Sequence, residues 1–110
     1  MEQIKGQMTI FDFLEKPGKY PDFKKMDPAA VVALIGQEIG VEFVWNNFFE
    51  DWRCSQTKPK RTIEIEFGHY MGTKTPFIGI GMQYSDRGWG SPCDSIDDAI
   101  EVFKKRWNWR

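Results

Sequence analysis

Strict alternation of apolar and polar residues in two neighbouring stretches is the feature that most constrains this fold. In the first stretch, Ile63, Ile65 and Phe67 alternate with Thr62, Glu64 and Glu66. In the second, Ile78, Ile80, Met82 and Tyr84 alternate with Phe77, Gly79, Gly81 and Gln83. A period of two residues is typical of strands that bury one face. Since only a short loop at residues 71–76 separates them, the two strands are predicted to pair as a hairpin.

Amphipathic helices are predicted on both sides of this hairpin. Asp27 followed by Pro28 is typical of a helix start, with the Asp27 carboxylate as the expected cap. The apolar stripe of this helix is Val31, Leu34, Ile35 and Ile39, and Gly40 is expected to end it. Ser95 and Asp98 match a capping box. The stripe of this final helix is Ile96, Ala99, Ile100, Phe103 and Trp107.

Residues 41–54 fit two interpretations. Trp45, Phe48, Phe49 and Trp52 recur at helical spacing, whereas the aromatic and β-branched content around Asn46 and Asn47 favours two strand pieces joined by a turn. We favour strand, because aromatic residues are poor helix formers. Residues 86–92 (DRGWGSP) are interpreted as a glycine-rich loop. The predicted fold is α+β: a small antiparallel sheet of about three strands covered on one face by two helices, in the order α-β-β-β-α.

A chain of 110 residues supports one domain of this kind. Residues 15–26 (EKPGKYPDFKKM) contain two prolines, a glycine and four lysines without a sustained period, and are interpreted as a linker. The predicted organisation is therefore a flexible tail and linker at residues 1–26 and an α+β domain at residues 27–110.

Composition excludes several function classes. The 15 basic and 16 acidic residues nearly cancel, so a strongly basic nucleic-acid binder is not expected. Cys54 and Cys93 have no metal-ligand spacing and are expected to be reduced thiols in the cytoplasm. His69, the single histidine, is expected to be packed or at a sheet edge. We expect no enzyme, cofactor or metal, and no membrane partner, since no apolar run approaches the ~20 residues that span a bilayer.

Three features of the predicted domain are candidate contact sites. Trp89 lies between two glycines, where it either anchors a partner or folds back over the sheet. Lys58, Lys60 and Arg61, with Lys74 on the next hairpin loop, are candidates for a small basic end of the sheet. Gly79 and Gly81 share one strand face, which leaves a bare patch for a neighbouring aromatic ring or for a ligand.

The order α-β-β-β-α resembles the double-stranded-RNA-binding domain in topology. That resemblance implies phosphate contacts from lysines at the start of the last helix. In this chain, Asp97 and Asp98 occupy that position. Because the topology is similar, a nucleic-acid-binding module is one alternative function, although these two acidic residues differ from the lysines of that family.

The tail resembles a known recruitment motif. Gln7-Met8-Thr9-Ile10-Phe11 is similar to the motif that binds the bacterial DNA sliding clamp. Gln7 and Ile10 with Phe13 and Leu14 are also similar to the PCNA-interacting box. Both resemblances imply that a glutamine amide forms hydrogen bonds at the mouth of a hydrophobic pocket, which aliphatic and aromatic side chains fill. The alternative is that these residues form a strand or short helix packed on the domain.

These observations predict a non-enzymatic adaptor or accessory factor recruited to a sliding clamp in replication or repair. The partner of the folded domain is then a second protein or a nucleic acid. An alternative is an inhibitor from a phage or mobile element that binds and blocks a host defence or replication enzyme.

The tail motif makes a direct prediction about clamp binding. Replacing Ile10 and Phe11 together by alanine should abolish binding of a tail peptide to a bacterial sliding clamp. Gln7→Ala should weaken binding by roughly 1 to 3 kcal/mol through a lost hydrogen bond, whereas Thr9→Ala should be tolerated. Titration of labelled peptide with purified clamp at two salt concentrations measures these effects. The absence of saturable binding by the unmodified peptide would rule out the clamp as its partner.

Overall fold

The computed structural model of the chain describes residues 20–109, which form an α+β fold. A short 3-10 helix, Phe23–Lys25, precedes helix α1, Pro28–Ile39. Five strands follow: β1, Val44–Asn46; β2, Asp51–Thr57; β3, Lys60–His69; β4, Pro76–Gln83; and β5, Gly88–Cys93. Helix α2, Ile96–Glu101, continues into a π-helical turn, Val102–Arg106. The strands form one antiparallel sheet in sequence order, β1-β2-β3-β4-β5.

The sheet has five strands, where the sequence predicts about three. The strand interpretation of residues 41–54 is confirmed, because Val44 pairs with Arg53 and Trp45 pairs with Trp52 around a tight turn. The interpretation of residues 86–92 as a glycine-rich loop is wrong, because most of them form β5, which pairs with β4. Glycine and proline in this segment obscured the alternation of residues that would have predicted a strand. Pro92 is compatible with β5 because an edge strand can lack a backbone donor.

Helix α1 begins and ends where the sequence predicts. Asp27 has an extended backbone at the N-cap, but its side chain makes no capping hydrogen bond, so that part of the prediction is wrong. Its carbonyl accepts instead from the N–H groups of Ala30 and Val31. Gly40 ends the helix with φ of +80°, a conformation that glycine adopts without strain.

The predicted start and the predicted buried face of the final helix are confirmed. Ser95 Oγ accepts a hydrogen bond from Asp98 N at 3.0 Å, as the capping box predicts. The helix packs beside α1, where Lys104 Nζ lies 3.0 Å from Glu38 Oε1. Its last turn widens, since Trp107 N donates to the carbonyl of Val102 five residues earlier.

Both helices pack on the same face of the sheet. The core joins apolar side chains from the two helices to those on alternating positions of β3 and β4, with one cysteine from β5. Its fully buried members include Val31, Ile35, Ile63, Ile65, Ile78, Met82, Cys93, Ile96 and Phe103. In the described residues, no helix covers the opposite face, which carries Glu64, Glu66, Gly79 and Gly81.

The segment interpreted as a linker belongs partly to the fold. Phe23 is 7% exposed and lies in the core. Its short helix is capped by Asp22, whose side chain accepts from Lys24 N at 3.0 Å. Tyr20 donates its backbone N–H to Asp97 and its hydroxyl to Glu38. The predicted boundary at residue 27 is therefore wrong for residues 20–26, while residues 1–19 lie outside the described part.

The packing of the π-helical turn after α2 predicts a large loss of stability at one position and almost none at a second position two residues away. Phe103 is fully buried, so Phe103→Ala should lower the free energy of unfolding by roughly 3 to 5 kcal/mol. Lys105 is exposed, so Lys105→Ala should change it by no more than about 0.5 kcal/mol. Urea denaturation of the two variants measures both effects, and equal losses would contradict the assigned face of the helix.

Candidate functional site

The uncovered face of the sheet contains a groove of about 660 Å³. Its floor is formed by backbone at Gly79 and Gly81 of β4 and at Gly90 of β5. Glu64 and Glu66 of β3 line one side, and Tyr70, Met71 and Phe77 lie at one end. Side chains lie over Gly79 and Gly81, whereas no side chain of the described residues comes within 4 Å of a Cβ built on Gly90, so a ligand can approach the main chain closely at Gly90.

Side chains from β3 and β4 converge above the floor of this groove. A Cβ built on Gly79 would lie 3.2 Å from Glu66 Cγ and 3.2 Å from Cε1 of Phe77. A Cβ built on Gly81 would lie 2.7 Å from Glu64 Oε2. A Cβ built on Gly68 of β3 would lie 3.1 Å from Cζ of Phe77, so the Phe77 ring covers this glycine as well. The glycine patch is therefore covered by Phe77 of the same strand and by Glu64 and Glu66 of β3, not by an aromatic ring from a neighbouring strand, and a ligand contact there stays a prediction.

Glu64 is the most constrained carboxylate of the open face. Its Oε1 atom lies 3.4 Å from NH1 of Arg53, which also holds Asp51 at 2.8 Å through Nε. Glu64 Oε1 is buried and has no hydrogen-bond partner. Burial raises the pKa of the Glu64 carboxyl, Arg53 opposes the rise, and the nearby charges of Asp51 and Glu66 add to it. Its negative charge is only partly compensated.

A second feature is the tip of the β1–β2 hairpin, defined as Val44, Trp45, Phe48 and Phe49. All four apolar side chains are exposed, with Phe48 at 85% and Phe49 at 53%. The Phe48 and Phe49 rings pack against each other, with their centroids 4.8 Å apart, and form an exposed aromatic surface. Aromatic residues in particular contribute most of the binding energy in many protein interfaces.

The hairpin tip is held in one conformation by local hydrogen bonds. Asn46 Oδ1 accepts from the backbone N–H groups of Phe48 and Phe49, both at 2.9 Å, which forms an Asx turn. Trp45 donates its indole N–H to Asn47 Oδ1 at 2.7 Å. The Arg53 guanidinium lies 3.8 Å from the centroid of the Phe49 ring. The backbone of the turn is thus fixed before any partner binds, and the Trp45 and Phe49 rings each have a contact within the protein.

The basic end predicted for the sheet does not form. Arg61 is 7% exposed, with its guanidinium 3.7 Å from the Trp109 ring and its Nε donating to Gln56 at 2.7 Å. Lys58 and Lys60 lie at the β2–β3 turn, whereas Lys74 lies at the β3–β4 turn. Consecutive turns of an antiparallel meander lie at opposite ends of the sheet, so these lysines are separated by the length of β3.

Trp89 folds back over the sheet, one of the two alternatives left open by the sequence. It packs on the helix-covered face, where its ring centroid lies 6.3 Å from that of Trp107 and 5.8 Å from that of Tyr84. The ring is half-buried there. It therefore contributes to packing.

The described residues bring no enzymatic constellation together. His69 is exposed at the end of β3. Burial raises the pKa of the Cys93 thiol to about 12, so that it stays protonated at neutral pH. Within residues 20–109, no group of three His, Cys, Asp or Glu side chains is placed to hold a metal ion, and no helix has the length and apolarity to cross a bilayer.

The tail residues predicted to bind a clamp, which are Gln7, Met8, Ile10, Phe11, Phe13 and Leu14, lie outside the described residues. The exposure of the hairpin tip was not predicted from the sequence. The signal for it is Asn46 and Asn47, because side chains at the tip of a short hairpin cannot reach the helix-covered face.

The raised pKa of Glu64 predicts a pH dependence of stability. A carboxyl whose pKa is higher in the folded than in the unfolded protein stabilises the fold as pH falls through its folded pKa, and costs stability above it. Glu64→Gln should therefore gain stability relative to wild type as pH rises from about 4 to about 7. Urea denaturation of both proteins across this range measures the difference. Ser55→Ala, a neutral exchange on the same sheet face, should show no such trend, and a flat or reversed difference for Glu64→Gln would contradict the prediction.

Comparison with known proteins identifies no relative of this chain. No protein-family model matches, and neither does any curated protein or solved structure. The functional argument therefore depends on the residues and their geometry.

Proposed function

We propose that this chain is a non-enzymatic adaptor with two protein contacts. The tail motif around Gln7, Ile10 and Phe11 recruits it to a DNA sliding clamp, and the hairpin tip of the folded domain binds a second protein. The observation that carries the second contact is the exposure of Phe48 and Phe49 on a turn that Asn46 holds in place.

The energetics support a protein contact at the hairpin tip. Burying a large apolar side chain contributes roughly 1.5 to 3 kcal/mol. Two or three such side chains, less the cost of association, can provide the ~8 kcal/mol of a micromolar complex. The Asx turn fixes the backbone of this segment and Arg53 contacts the Phe49 ring, which lowers the cost of ordering the tip on binding.

Charge placement favours a protein over a nucleic acid as the partner. The groove beside the hairpin is lined by Glu64 and Glu66, and the start of α2 carries Asp97 and Asp98. Carboxylates at these places repel phosphate. The lysines of the sheet turns, Lys58 and Lys60 at one end and Lys74 at the other, are too far apart to form one basic surface.

A hairpin variant and a control variant test the proposal. Phe48→Ser with Phe49→Ser removes two exposed rings, and Ala33→Ser changes an exposed residue of α1 outside both the tip and the groove. Both proteins should keep the wild-type fold, with a loss of about 1 kcal/mol at most from the Phe49–Arg53 contact. The double variant should lose the proteins that the wild-type chain captures from a bacterial lysate, and Ala33→Ser should retain them.

Clamp binding provides the second arm of this experiment. The double hairpin variant should bind purified clamp with unchanged affinity, whereas Ile10→Ala with Phe11→Ala should lose the clamp and keep the other captured proteins. Equal capture by wild type and the hairpin variant would contradict the proposed second contact. Loss of activity in a captured enzyme would assign the chain to the inhibitor class instead of the adaptor class.

A further inference from the structure

The open face of the sheet already contains one arginine held by a ring and carboxylates. The guanidinium of Arg53 lies 3.8 Å from the Phe49 ring centroid, 2.8 Å from Asp51 and 3.4 Å from Glu64. A planar guanidinium suits this set of partners, because it stacks on an aromatic face while its N–H groups donate in plane to carboxylates. This arrangement shows which partners a cation finds on this face.

The groove presents the same kinds of partner without an internal cation. The Phe77 ring and the Glu66 side chain lie beside each other over Gly79, each with a carbon atom 3.2 Å from the position that a Cβ would take there. Tyr70 extends the aromatic surface, with its ring centroid 5.0 Å from that of Phe77. Glu66 forms no ion pair with any of the described residues, and no lysine or arginine among residues 20–109 lines the groove.

We propose that this groove is a binding site for an arginine side chain carried on an extended segment of a partner protein. The guanidinium stacks on Phe77 and donates to the Glu66 carboxylate. Gly90, where no side chain among residues 20–109 comes within 4 Å of a built Cβ, lets the main chain of the segment lie close to the sheet. A ligand with phosphate or carboxylate groups is repelled by Glu64 and Glu66.

Glu64 strengthens the site from its other side. Its Oε1 atom faces Arg53, while its Oε2 atom lies over Gly81 on the groove floor. The raised pKa of this carboxyl shows that Arg53 alone does not offset its burial. A second cation in the groove compensates the remaining charge, and the Glu64 pKa should fall when the site is filled.

This inference goes beyond the proposed function. The residues proposed to bind the arginine, Glu66 and Phe77, belong neither to the tail motif nor to the hairpin tip. A short probe without apolar anchors therefore tests it separately from the adaptor proposal.

The test is a titration of the full chain, followed by backbone amide chemical shifts, with blocked Gly-Arg-Gly peptide as the probe. The amides of Gly79 and Gly81 should shift saturably in the millimolar range. Glu66→Gln should weaken binding roughly tenfold, because it replaces a charge-assisted hydrogen bond by a neutral one. Phe77→Leu should also weaken it through the lost stacking surface. Glu101→Gln removes an equally exposed carboxylate from α2 and should bind the peptide as the wild type does.

Control ligands separate an arginine site from general attraction of positive charge. Blocked Gly-Lys-Gly and spermidine should bind more weakly than the arginine peptide, and Gly-Glu-Gly should not bind. The proposal would be overturned by no saturable shift with the arginine peptide, by unchanged affinity in Glu66→Gln, or by an equal response to spermidine. Spectra of each variant before titration verify that the fold is retained.

Discussion

A single helical layer covers only one face of the five-stranded sheet, and the rest of the structure depends on this constraint. Apolar side chains on β3 and β4 must point toward α1 and α2, as Ile63, Ile65 and Ile78 do. The alternate positions of the same strands then face solvent and cannot be large and apolar in series. Glutamates and glycines fill most of them, so the pattern that builds the core also produces the groove.

The groove and the hairpin tip form neighbouring parts of one surface. Arg53 connects them, because it contacts Phe49 on the tip side and Glu64 on the groove side. Its charge is thereby neutralised, and the tip stays predominantly apolar while the groove stays acidic. A single partner with an apolar contact region next to a basic segment would fit both parts at once.

Sequence patterns predicted the elements whose side chains carry a clear period. The alternations through Ile63 and through Ile78 identified β3 and β4. The helical stripes that end at Ile39 and at Trp107 identified the two helices. The prediction failed where backbone conformation or distant packing decides the outcome. β5 is rich in glycine and has no period to detect, and Phe23 is a lone apolar residue among lysines and prolines. Arg61 is buried because Trp109, far along the chain, stacks on its guanidinium. No local sequence pattern predicts the contact between Arg61 and Trp109. The exposure of the hairpin tip also depends on distant packing, because it is set by which parts of the sheet the two helices leave uncovered.

The meander order of the strands has a consequence for how the chain folds. Every strand pairs with its neighbour in sequence, so each pairing closes only a short loop and the sheet can assemble hairpin by hairpin. Contacts between the helices are different, since Lys104 and Glu38 are 66 residues apart and Trp109 reaches back to the Ile39 carbonyl. Such long-range closures slow folding when they must form in the transition state. We therefore expect the helices to dock last, and the two ends of the described chain to be the first parts that open when the protein unfolds.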